Sequence, residues 1–256
     1  MTEHLSFLQS VVDNYVVNAP DTARTAFVFP TKRAGLFFEN LIRKDTRIRK
    51  PLYLPSLFSI EEFFEHPSPL RTIDDTEILF SLYSLYSDIC SETQIPIPDF
   101  ADFYPWSQEM LSDFNDIDYY RIDGDTLLGI LTEAESFRTP EHDNVYLRRF
   151  QDHVQVVRAL YARLTPLLLQ QQCAYPGMLA RYVCDNWEDL RAQCDQWDTI
   201  VFAGFNALNN CESFVLQELV RSGKGHIAWD IDTWFCREEQ ESGYFFRSAP
   251  DLLRSF

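Results

Sequence analysis

Two short runs, Thr25-Ala26-Phe27-Val28-Phe29 and Thr199-Ile200-Val201-Phe202-Ala203-Gly204, are apolar without polar alternation. A strand with one wet face alternates. An unbroken run of Phe, Val and Ile reads as a strand buried on both faces, as in parallel sheets covered by helices. Both ends of the chain are thereby constrained to α/β architecture. After the first run, Pro30-Thr31 ends the strand, and Leu36, Phe37, Leu41 and Ile42 recur at helical spacing over residues 33–44. This strand–turn–helix is half of a βαβ unit. After the second run, a turn over Phe205–Asn209 leads to a helix over Glu212–Arg221. A stop at Ser222-Gly223-Lys224-Gly225 and a strand over His226–Trp229 complete a crossover that is right-handed by default.

Smaller elements fill in the first segment. Leu5, Leu8, Val11, Val12, Tyr15 and Val16 predict an amphipathic helix over residues 3–18, broken by Asn18-Ala19-Pro20-Asp21. A short strand is expected at Leu52-Tyr53-Leu54. Ser59-Ile60-Glu61-Glu62 matches a capping box, in which Ser59 caps a helix and Glu62 reaches back to it. From about Pro67 to Trp197 helical periodicities dominate, through Ile78–Tyr86, Phe100–Phe114, Tyr146–Leu169 and Pro176–Val183. The expected organisation is an α/β core formed by residues 1–66 and 197–256, with an all-helical insertion over 67–196.

The net charge of −17 argues against a generally nucleic-acid-binding surface. Its distribution is uneven. Glu61–Phe150 holds 20 acidic and 5 basic residues, whereas Arg24–Lys50 holds 8 basic and 2 acidic. Both can be solvated faces; alternatively, only the early basic segment meets a phosphate backbone. Six cysteines at wide, irregular gaps, with no CxxC pair, read as reduced thiols of a cytoplasmic protein. No apolar run approaches membrane-spanning length, and Met1-Thr2-Glu3-His4 lacks the start of a signal peptide.

Motifs for catalysis are missing. A phosphate-cradling loop needs GxxxxGK[ST]. The only Gly-Lys pair, Gly223-Lys224, is followed by Gly225, and Glu218 stands at the first glycine position. The strand Ile200–Ala203 ends in Gly204-Phe205, without the carboxylate that holds magnesium in an ATPase. The residues two before the four lysines are Pro30, Ile42, Ile48 and Ser222, so no PD-(D/E)xK motif exists. Asp113, Asp116 and Asp118, with Asp123 and Asp125 beyond, lack EF-hand spacing and fit the polar end of a helix. Asp230 and Asp232 fit a solvated loop better than a metal site. None of the five histidines stands in a recognisable relay, and Gly-x-Ser-x-Gly is absent.

The segment Phe27-Val28-Phe29-Pro30-Thr31-Lys32-Arg33-Ala34 with its following helix resembles the early strand–loop–helix of superfamily 1 helicases, whose loop touches single-stranded DNA. Leu57-Phe58-Ser59-Ile60 resembles the next turn of that family, where a serine caps a helix near DNA. Val201-Phe202-Ala203-Gly204-Phe205-Asn206-Ala207-Leu208 resembles the degenerate Walker B strand of AddB-type proteins. Asp113-Phe114-Asn115-Asp116-Ile117-Asp118 and Trp229-Asp230-Ile231-Asp232 extend the likeness over nearly the whole chain. The chain looks most like AddB-like helicase–nuclease proteins of the Bacteroidetes type.

The resemblance implies a degenerate P-loop-NTPase-like sheet (a 1A-type domain) holding a helical 1B-type insertion. It implies an AddA-type helicase/nuclease partner at DNA double-strand breaks, and a longer parent protein ending in a nuclease domain, of which this would be the N-terminal piece. The expected role is an ATPase-inactive scaffold with no catalytic, cofactor or metal residues of its own and no membrane partner. Thr31, Lys32 and Arg33, with Ser59 and Asn206, are the expected DNA contacts at the strand-end face. Lys32 would act as a point charge and Arg33 as a fork. Two other readings stand beside it. One is a protein-interaction module docking through its acidic helical block without touching DNA; the other is an ATP-using enzyme with an unusual site.

Overall fold

A computed structural model describes residues 6–18, 22–48, 53–130 and 145–230, together with Trp234, Arg237, Glu241, Tyr244 and Arg247; the side chains of Asp75 and of 145–152 are outside this description. The chain forms two compact units. One comprises Met1–Pro67 and Val183–Phe256, the other Ser68–Tyr182.

The first unit is α/β. Helix α1 (Phe7–Val12) runs on into a single π-helical turn over Asp13–Val17, and strand β1 follows at Thr25–Phe29. Then come α2 (Lys32–Lys44), β2 (Ser56–Ser59) and α3 (Ile60–Glu65). The chain re-enters this unit within a helix at Pro176–Asp185 and continues through Trp187–Leu190. It then forms β5 (Thr199–Ala203), α10 (Asn210–Arg221) and β6 (Gly225–Ala228). The four strands are all parallel, in the order β2-β1-β5-β6. Strands from both ends of the chain thus share one sheet, with Val28 beside Phe58 on one side and Phe202 on the other.

Every residue of β1 is buried, as its unbroken apolar run requires. Successive side chains point to opposite faces. Phe27, Phe29, Val201 and Ala203 join Val11, Val12, Val16, Phe38 and Ile42 in one core cluster beneath α1 and α2. The Phe38 ring lies 4.6 Å from Phe27 and 5.2 Å from Phe29. On the other face Phe202 meets Phe63 of α3 at 5.4 Å, edge to face. Burial of each such ring contributes roughly 1.5–3 kcal/mol. Because β2 and β6 lie on opposite sides of the β1–β5 pair, right-handed crossovers put α2 and α10 on opposite faces.

Three expectations need correction. No strand forms at Tyr53–Leu54, and Leu52 lies outside the described residues; the strand is Ser56–Ser59. Tyr53 is 81% exposed, and Pro55, which has no amide hydrogen to donate, stands between that run and the ladder that begins at Ser56. In α2 the buried stripe is Gly35, Phe38 and Ile42, while Leu36 and Phe37 face out. This helix has more apolar residues than one face can bury. The chosen face is the one that brings Phe38 between Phe27 and Phe29.

The third correction is in the second unit. Its helices are α4 (Asp75–Thr93), α5 (Phe100–Tyr119), α6 (124–130) and α7 (Val145–Gln170), with a two-stranded parallel pair, β3 (Arg71–Thr72) and β4 (Cys173–Ala174). In our numbering the helices at Pro176–Asp185 and Trp187–Leu190 are α8 and α9. Asp118 was expected on a polar helix end, yet it is 2% exposed. Its carboxylate accepts hydrogen bonds from the Tyr161 hydroxyl at 2.6 Å, from the Tyr175 hydroxyl, and from Arg181 Nη1 at 3.2 Å. Burial pushes both tyrosine pKa values up, and the adjacent Asp118 adds to it. A carboxylate so enclosed is tolerated because its lone pairs are occupied; removing one partner leaves a buried polar group unsatisfied. Asp123 and Asp125 are also explained locally. Asp123 accepts from the Asp125 and Thr126 amides, and Asp125 holds Arg158 bidentately at 2.5 and 2.7 Å.

In the first unit, Arg47 joins α1 to the end of α2. Its guanidinium donates to Asp13 and to Asp45, each at 2.6 Å. The Arg47 hydrogen bond holds the Asp45 carboxyl down at about 2. Because the folded pKa is depressed, this stabilisation is present above the ordinary carboxylate range and is lost as pH falls through about 2. Arg47→Ala is expected to lower stability at neutral pH and to flatten the loss of stability between about pH 4 and pH 2, read by urea unfolding at each pH. An acid profile parallel to that of the wild type would contradict the linkage.

Candidate nucleic-acid interface

In a parallel sheet, the chain leaves neighbouring strands in opposite directions at one place, and a crevice opens there at the strands' carboxyl ends. Here that place lies between β1 and β5: from β1 the chain crosses to β2, and from β5 to β6. This switch point is flanked by Pro30 and Thr31 after β1, and by Gly204, Phe205 and Asn206 after β5. Register brings Ser59, at the end of β2, beside Phe29. All five residues expected at the site therefore belong to strand-end connections of this one sheet, or to the helix turn that follows.

Their engagement differs. Thr31 is the N-cap of α2, and its hydroxyl accepts from the Ala34 amide at 3.4 Å. Only Pro30 and Thr31 separate β1 from α2, and proline has no amide hydrogen, so the connection offers a single backbone donor of its own. Gly204 turns the chain out of β5 at φ +80°, a conformation that disfavours a side chain, with the Phe7 ring 3.4 Å from where a Cβ would stand. Phe205 is buried, and Asn206 is exposed with no hydrogen-bonding partner among the described residues.

Ser59 and Lys32 share Glu62. The capping box expected from sequence is present: the Ser59 hydroxyl accepts from the Glu62 amide at 3.3 Å, and Glu62 Oε2 accepts from the Ser59 amide at 2.9 Å. The other oxygen, Oε1, holds Lys32 Nζ at 2.9 Å. Glu62, with Glu65 and Glu61 nearby, raises the Lys32 pKa. Lys32 is thus a neutralised cation. Arg33 is exposed and has no ion-pair partner among the described residues. Of the two expected phosphate contacts, Arg33 alone presents an uncompensated charge.

A second capping box, missed in the sequence reading, opens α10. The Asn209 side chain accepts from the Glu212 amide at 2.9 Å, and Glu212 accepts from the Asn209 amide at 3.0 Å. The Asn-x-x-Glu spacing was available as a signal. Burial pushes the Glu212 carboxyl up.

The opposite end of the sheet also carries cations, but each is neutralised. Arg24 holds Asp198 at 2.7 Å, Lys224 holds Asp195 at 2.5 Å, Arg191 holds Glu188 at 3.2 Å and Arg221 holds Glu218 at 2.5 Å. Lys224, Arg191 and Arg221 line a cleft of about 630 Å³ whose charges cancel pairwise. Asp230 is exposed beyond β6, and Asp232 lies outside the described residues. Among the described residues no helix is long and apolar enough to cross a membrane. Compared with known proteins, the chain matches no family model and no curated protein.

The double duty of Glu62 is testable. Glu62→Gln keeps an oxygen for the Ser59 amide but removes the charge beside Lys32. Stability is expected to stay near that of the wild type, while Ser59→Ala loses about 1 kcal/mol. The Lys32 ammonium is expected to titrate lower than in the wild type, followed by NMR. An unchanged Lys32 titration would contradict the pairing.

Proposed function

We propose that this chain is a helicase-derived scaffold, without ATPase activity of its own, in an assembly that processes DNA double-strand breaks. In this reading it is the N-terminal region of an AddB-like protein working beside an AddA-type motor subunit. The first unit corresponds to a degenerate 1A-type domain and the second to a 1B-type insertion. The observation that carries the reading is that Arg33, in the first turn of α2, and Asn206, in the connection after β5, both stand at the carboxyl-end side of the β1–β5 pair, exposed and without a partner among the described residues. An arginine fork and an amide at the carboxyl ends of parallel strands suit a phosphate and a base or sugar edge. Supporting the loss of ATP hydrolysis, the sequence holds no GxxxxGK[ST] loop to wrap a triphosphate. No carboxylate directly follows β5.

A second reading rests on α5. Asp102, Glu109, Asp113 and Asp116 form one exposed stripe along this helix, with no ion pair among the described residues. Burial, with the nearby Asp116 and Glu109, raises the Asp113 pKa. Such a stripe suits a basic protein surface, and in this reading the acidic block docks the motor subunit while DNA goes elsewhere.

Binding to a labelled single strand, read by fluorescence anisotropy at low and moderate salt, separates the two. The first reading expects affinity that falls with salt, a loss of roughly threefold to tenfold in Arg33→Ala, and a smaller loss in Lys32→Ala, since Lys32 is already shared with Glu62. Absence of binding at low salt would overturn it in favour of the docking reading.

A further inference from the structure

The outward face of α2 is unusual for this chain. Residues 33, 36, 37, 40 and 44 fall on one stripe directly opposite the buried Gly35, Phe38 and Ile42. Leu36 is 66% and Phe37 59% exposed, and between them and the helix ends stand Arg33, Asn40 and Lys44. Neither Arg33 nor Lys44 has an ion-pair partner among the described residues. The stripe contains no carboxylate. Glu39, on the flank, is engaged by Arg43 at 2.5 Å, and Asp45, beyond the helix end, by Arg47. In a molecule of net charge −17, two free cations bracketing an exposed aromatic ring therefore form a local surface complementary to a polyanion.

We infer that single-stranded nucleic acid runs along this stripe, with Phe37 as a stacking platform for one base and Arg33 and Lys44 as phosphate contacts at its two ends. The inference rests on the strand-end reading above and extends it from the crevice along α2. Arg33 and Lys44 are eleven positions apart on one helix, a rise of about 16 Å, a span that a few nucleotides of extended strand cover. An exposed ring stacks on any base face, whereas duplex bases are already stacked on their neighbours, so the stripe favours single strands. A protein partner fits less well. A stable interface uses about 20 residues a side around an apolar centre, and here only Leu36 and Phe37 are apolar, hemmed by cations and an amide.

The test uses the whole chain and a fluorescein-labelled 20-nucleotide oligo-dT, beside a duplex of equal length, over a salt series. Phe37→Ala is expected to weaken oligo-dT binding about tenfold without changing the salt dependence. Phe37→Trp should retain binding, whereas Phe37→Leu should not. Arg33→Ala and Lys44→Ala should each reduce the slope of log affinity against log salt by about 0.7. All three positions are exposed, so folding is not at issue. Wild-type affinity in Phe37→Ala, with Arg33→Ala still impaired, would overturn the stacking platform and leave the strand-end reading in place. Tighter binding to duplex than to oligo-dT would also overturn it. No binding of either probe at low salt would overturn both.

Discussion

The pairing of β1 with β5 is the interaction on which the first unit depends. Each strand is five residues long, and β1 is buried on both faces, so neither can be satisfied except between neighbours. Their parallel register from Thr25 beside Thr199 to Val28 beside Phe202 joins segments more than 170 residues apart in sequence. A parallel pair with crossovers leaving in opposite directions is the topological switch point, at whose carboxyl ends α/β sheets generally bind ligands. Fold and candidate site thus have a common origin: the same backbone ladder that buries Phe27 and Phe29 aligns the starts of α2 and α3 and the Gly204–Asn206 turn at one edge.

Charge pairing then decides which surfaces remain available. Individual surface ion pairs add little stability, but they cancel local fields. At the amino ends of the strands Arg24, Lys224, Arg191 and Arg221 are each matched by a carboxylate, and at the carboxyl ends Lys32 is matched by Glu62. Arg33 and Lys44, at the two ends of α2, have no ion-pair partner among the described residues. In the second unit the pattern reverses: Arg158, Arg163 and Arg181 are spent on Asp125, Glu92 and Asp118, while Asp102, Glu109, Asp113 and Asp116 of α5 have no ion pair among the described residues. The stripe on α2 and the stripe on α5 therefore differ in the sign of the charge they present.

What the sequence made legible follows from range. Both buried strands could be read from their own residues, because burial on two faces forces an unbroken apolar run. The Ser59–Glu62 cap could be read because both partners lie within one turn. Longer-range features could not. Nothing near Asp118 announces that Tyr161, Tyr175 and Arg181 will enclose it, so an acidic helix end looked solvated. Lys32 looked free because Glu62 is thirty positions away. In α2, periodicity admitted two apolar stripes, and only the rings of β1 chose between them. The second strand forms at Ser56–Ser59, just beyond the apolar Leu-Tyr-Leu run and Pro55, because pairing with β1 in register from Ala26 selects it.

The most direct test of the account is backbone hydrogen exchange of the whole chain with and without a 20-nucleotide single strand. Protection is expected in the first turns of α2 and in the connection from Gly204 to Asn209, with little change at the opposite end of the sheet. Protection confined to the segments around Arg24 and Lys224, or to the helices of the second unit, would contradict the assignment of the strand-end face as the nucleic-acid surface.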